Sequence, residues 1–167
     1  YSTLTIWQAI DQRLVVENVQ LPKKLFPRLE EAVEKVNGDI VVSFEAGLDE
    51  SQHKCIVGHA FVNVDVECQR CLEPFPIDLD VDFRWLPVKS EYEAELVGDD
   101  ADVIIIEDVD IISFLYHLED ELLMALPIIP YHADDEPCEG REFLKNQELP
   151  EEEEKKNSFA VLSDLLD

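Results

Sequence analysis

The segment VECQRCLEPF, residues 66–75, carries two cysteines, Cys68 and Cys71, at a spacing that suits three different chemistries. They could supply half of a metal site, run thiol–disulfide exchange, or stay reduced in a turn. A structural zinc site asks for four soft ligands in a tetrahedron. His132 and Cys138 are the candidates for the other two, so the candidate zinc set is Cys68, Cys71, His132 and Cys138. A redox pair normally opens a helix, whose N-terminus lowers the thiol pKa. Here Pro74 and a strand-like alternation follow instead. The residues alone leave all three readings open. Arg70, a cation inside the turn, either ties back onto Glu67 or Glu73 or reaches a phosphate or an acidic partner.

Little else points to bond-making chemistry. His53, His59, His117 and His132 sit in unlike contexts, and no serine or cysteine stands in a nucleophile motif. The five glycines are scattered, with no phosphate-binding loop among them. The expectation is a protein that is not an enzyme. Thirteen Lys and Arg stand against 39 Asp and Glu, a net charge of −26. Between Lys89 and Arg141 there is no lysine or arginine at all. Such a field repels phosphate backbones and anionic lipid and attracts basic partners. Lys23, Lys24, Arg28 and Lys35 are a local exception, a candidate RNA-binding cluster. No 18-residue apolar run occurs, so no membrane span is expected. The opening YSTLTIWQAIDQRLVVE lacks the basic-then-apolar pattern of a signal peptide, and a cytoplasmic protein is expected. The first residue is not Met, which leaves open what precedes Tyr1.

The positioning elements follow from periodicity. A helix is predicted over 22–37, with Pro27 in its first turn, Leu29, Val33 and Val36 on one face and Gly38 as its stop. Ile40, Val42, Phe44 and Ala46 alternate with Val41, Ser43 and Glu45. After a turn at 49–52, Ile56, Gly58, Ala60, Val62, Val64 and Val66 alternate with Val57, His59, Phe61, Asn63 and Asp65, a period of two that reads as a long antiparallel hairpin. Phe75, Ile77, Leu79, Val81, Phe83 and Trp85 share one face of a third strand whose other face carries Asp78, Asp80 and Asp82. The knuckle is therefore the connection between two strands. Residues 90–102 read as a loop and 103–107 as a short strand. Asp110 reads as the cap of a helix whose stripe is Ile111, Leu115, Leu118, Leu122 and Leu126, ended by Pro127. An irregular segment, an acidic linker at 148–157 and a short amphipathic helix at 158–167 complete the chain. The fold class is α+β: one domain over 1–147, with an antiparallel sheet of about four strands covered by helices.

Three stretches in order, VECQRCLEPF, DELLMALPIIPYH followed by Cys138, and ELPEEEEKKNSFAVLSDL, resemble the YceD family, the large ribosomal RNA subunit accumulation proteins. The likeness runs from about residue 35 to the C-terminus. It implies a non-catalytic role in synthesis, processing or stability of 23S ribosomal RNA, hence in assembly of the large ribosomal subunit. The positions it marks for partner binding are Cys68, Arg70, Cys71, Phe75, the helix end Glu121–Leu126, Pro127, Pro130, Phe159 and Leu162. Three modes of action are then open. An acidic surface could hold a basic ribosomal protein or a large-subunit precursor particle. The basic cluster and the knuckle could bind 23S RNA directly. Cys68 and Cys71 could serve metal handling or redox chemistry, zinc being the one candidate cofactor. No membrane and no small-molecule substrate is expected.

Overall fold

The computed structural model describes residues 6–97, 102–106, 111–133 and 137–146. Its centre is made by the three alternating runs. β2 (Lys35–Leu48), β3 (Lys54–Glu67) and β4 (Pro74–Val88) pair antiparallel in that order. Every second residue turns inward: Ile40, Val42 and Ala46, then Ile56, Ala60, Val62, Val64 and Val66, then Phe75, Leu79, Phe83 and Trp85 are buried. The turn between β2 and β3 is held by Asp49, whose Oδ1 accepts the N–H groups of Ser51 (2.9 Å) and His53 (2.8 Å).

β1 (Val15–Leu21) adds antiparallel to β2, and β5 (Val103–Ile105) adds parallel to β4. The result is a five-stranded, mostly antiparallel sheet in the order β1-β2-β3-β4-β5. β1 is the strand that periodicity misses. Its register shifts between Val16 and Val19, and Asn18 sits there at φ 50°, its N–H donating to Ser43 Oγ at 2.9 Å. A bulge breaks the period of two.

The helix predicted over 22–37 is corrected. A 3₁₀ turn at Lys23–Leu25 and α2 (Pro27–Ala32) use its first half only. Val33 is already extended, the Glu34 N–H donates to the Asp65 carbonyl, and Lys35 opens β2 opposite Asp65. The β-branched Val36, buried against Val64, is better placed in a sheet than on a helix. Gly38 is not a helix stop. It holds φ 103° where the β2 register shifts between Asn37 and Val41, a conformation that suits a residue without Cβ.

Helices close the inner face. α1 (Ile6–Asp11) contributes Ile6, Ala9 and Ile10, α2 contributes Leu29, and α4 (Ile111–Met124) contributes Phe114, Leu118 and Leu122. Trp85 stacks on Phe83 at 4.3 Å, meets Phe114 edge-on at 5.4 Å, and donates its indole N–H to Glu121 at 2.8 Å. Two predicted irregular regions contain helices, α3 (Glu91–Val97) and α5 (Glu139–Asn146). For α3 the signal is Ser90 and Glu93, whose side chains take the N–H groups of Glu93 and Lys89 in a capping-box manner. Asp110, the linker at 148–157 and the helix at 158–167, with Phe159 and Leu162, lie outside the described residues. No helix among those described is long and apolar enough to cross a membrane.

A cysteine and histidine cluster as candidate functional site

β3 and β4 keep their ladder up to Glu67 and Pro74, so the six residues between them must reverse the chain tightly. Cys68 N–H donates to the Glu73 carbonyl (3.0 Å), Leu72 N–H to the Cys68 carbonyl (2.8 Å), and Leu72 takes φ 62° to complete the reversal. Gln69 N–H reaches across to the carbonyl of Pro130 at 2.9 Å, which brings the segment after α4 onto the turn. His132 follows two residues later, its ring packed on Phe75 at 4.5 Å and its Nδ1 3.5 Å from Cys71 Sγ.

Cys138 arrives from the far side. Its carbonyl accepts the Arg141 and Glu142 N–H groups, so it starts α5, and its side chain is buried. Gly140 lies against the turn so closely that a Cβ there would stand 2.4 Å from the Arg70 carbonyl oxygen. Arg141 fastens the same joint by donating to the carbonyls of His132 (3.1 Å) and Ala133 (2.8 Å). The ligand atoms of Cys68, Cys71, His132 and Cys138 all lie within 4.8 Å of one another. The structure thus brings together the four residues named as a candidate metal set. All four cysteines of the chain are free thiols.

The electrostatics favour negative sulfur at one position. Burial pushes the Cys68 thiol up, but the N–H groups of Cys71, Arg70 and His132 and the His132 ring outweigh it and bring the pKa down to about 5. Cys71 goes the other way. The Glu73 N–H favours its thiolate, yet burial and the neighbouring Cys68 and Cys138 sulfurs raise it. Crowded thiols in one place suit a cation. They suit attack on a substrate poorly, because Cys68 has no exposed surface.

Of the other marked positions, Phe75 is buried behind His132, Pro130 is half-buried and Pro127 is exposed. Arg70 does not use Glu67 or Glu73 as its anchor; its guanidinium stacks over Tyr131 at 4.4 Å. The basic cluster is divided. Arg28 is committed to α4, bonded to Glu119 (2.8 Å), Asp120 (2.6 Å) and the Tyr116 carbonyl (3.0 Å), with its guanidinium over the Tyr116 ring. Glu119 is buried, and its Oε1 also accepts the Arg28 and Leu29 N–H groups at the start of α2. These carboxylates raise the Arg28 pKa further. Lys23 lies 3.8 Å from Glu30, while Lys24 and Lys35 are exposed. Gly140, Arg141, Tyr131 and Glu119 were not singled out in the sequence. The visible signal was Pro137-Cys138 before EGRE, a helix start.

The comparisons with known proteins agree on one family. The model described as Large ribosomal RNA subunit accumulation protein YceD matches residues 56–166. A protein of that name from Haemophilus influenzae is 35% identical over 144 residues, which cover 83% of this chain and 80% of that protein. No solved structure matches the chain.

Proposed function

The chain belongs to the YceD family of large ribosomal RNA subunit accumulation proteins, and on that premise we propose that it supports 23S ribosomal RNA accumulation as a non-catalytic assembly factor in the cytoplasm. Its means is a negative surface that holds a basic ribosomal protein, free or on a large-subunit precursor particle.

The observation that carries this reading is the outer face of the sheet. Asp78, Asp80 and Asp82 of β4 all point outward and are exposed, about 7 Å apart along the strand. Asp65 and Glu67 continue the row on β3, opposite Pro76 and Pro74. His59 Nδ1 lies 3.3 Å from both Asp80 and Asp82, and Asn63 donates to Asp78 at 2.6 Å. A row of carboxylates on a rigid sheet matches Lys and Arg side chains of a partner and repels a phosphate chain. The turn adds a second surface, where Arg70 stacks on Tyr131 and Leu72 is exposed. Cys68 and Phe75 are buried, so on this reading it is Arg70 and Pro127, of the marked residues, that meet the partner.

The test uses the tagged full chain sedimented through a ribosome gradient, beside the triple variant Asp78→Asn, Asp80→Asn, Asp82→Asn. The wild type should travel with an immature large-subunit particle and the variant should remain at the top. Equal co-migration of the two would remove the acidic face from the account. Direct capture of 23S fragments that weakens steeply with salt and is lost in Lys24→Glu, Lys35→Glu would replace it with RNA binding.

A further inference from the structure

We propose that Cys68, Cys71, His132 and Cys138 form a closed tetrahedral zinc site that staples the start of α5 and the residues around His132 to the β3–β4 turn. The inference is independent of which partner the acidic face takes.

The donor set decides the metal class. Three sulfurs and one imidazole nitrogen select zinc over the oxygen-seeking magnesium and calcium. Zinc–sulfur bonds of about 2.3 Å place tetrahedral ligands about 3.8 Å apart. A cluster already within 4.8 Å needs to contract by only about 1 Å, within reach of small side-chain rotations. All four positions come from the protein, and Cys68 and Cys138 are buried, which leaves no open position for a water or substrate. That is the arrangement of a structural site rather than a catalytic one.

The surroundings are built for it. N–H groups of Arg70, Cys71 and His132 point at the Cys68 sulfur, and that of Glu73 points at Cys71, donors that stabilise metal-bound thiolate. Phe75 packs on the His132 ring and fixes its plane. The ligands come from two places separated by the whole of β4, β5 and α4, and α5 is only eight residues long, with Phe143 exposed. So short a helix is marginal by itself and depends on what anchors it to the rest of the fold. Binding releases the thiol protons, and Zn²⁺ with three thiolates and a neutral imidazole carries one net negative charge, modest for a buried site.

The full chain, purified under reductant and stripped of metal, should take up about one Co²⁺ per molecule. The complex should show thiolate-to-cobalt charge transfer and the intense d–d bands of tetrahedral geometry, both erased on adding Zn²⁺. Cys138→Ser and His132→Ala should lose the tetrahedral bands, His132→Cys should keep them at shifted wavelength, and Cys55→Ser should leave them unchanged. The wild-type spectrum decides the matter even where a variant fails to fold. A weak octahedral spectrum, a Cys68–Cys71 disulfide that forms without metal uptake, or equal loss in Cys55→Ser would overturn the site. Ribosome-gradient behaviour plays no part in this readout, so either proposal can fail alone.

Discussion

His117 shows how one side chain sets a pH dependence. Burial holds its imidazole below the ordinary 6.5, against the opposing pull of Asp120 and Glu121, with Arg28 adding to the depression. The unfolded chain therefore binds a proton here at pH values where the folded chain does not. The contribution of this group to stability is fully present above about pH 6.5 and declines as the pH falls below it. Urea midpoints measured from about pH 7.5 to about pH 5 should fall in the wild type and fall less in His117→Gln. Parallel profiles would mean that His117 is not the group responsible. Asp49, held below its ordinary 3.8 chiefly by the His53 N–H, loses its contribution at lower pH and stays out of this window. Arg28 is instructive at the same scale. Its charge was legible in the sequence, but its commitment to Glu119 and Asp120 was not, because those partners lie 91 and 92 positions away.

At the scale of elements, the contact between α5 and the turn makes Gly140 a sensitive position. A methyl group there meets backbone, which cannot move aside as a flexible side chain can. Gly140→Ala should lower stability by about 1–3 kcal/mol and draw Cys138 away from Cys68, Cys71 and His132. Gly47→Ala, with nothing within 4 Å of the new Cβ, is the matched control. Denaturation midpoints and the rate of thiol labelling at Cys138 check both effects; equal values in the two variants would contradict the close approach. Elements were legible where one residue type repeated on one face. β3 and β4 were read nearly to the residue because their inner faces are apolar throughout while their outer faces are mostly polar. The helix over 22–37 failed because Val33 and Val36 fit a helical face and a sheet equally well in isolation, and Asp65 decided for the sheet from across the hairpin. The knuckle's spacing was visible at once, while its closure by His132 and Cys138 depended on the fold of everything between.

For the whole molecule the governing quantity is its charge of −26. Self-repulsion at this level opposes the compact state, and salt relieves it. Between about 10 mM and about 0.2 M NaCl the screening length falls from about 30 Å to under about 10 Å, and Tm should rise by several degrees. The same change should slow association with a basic partner, since steering is lost as screening grows. A Tm indifferent to salt would show that the carboxylates are too well dispersed to strain the fold.

The kink that Asn18 puts into β1 reaches beyond local geometry. Among the described residues β1 is the outermost strand on its side of the sheet, and Val15 and Val19 are exposed along it. A straight apolar border of that kind invites a neighbouring chain to dock by backbone pairing, and the misaligned step spoils the match before it can propagate. Copies of the chain that meet along this border then find no continuous ladder to extend.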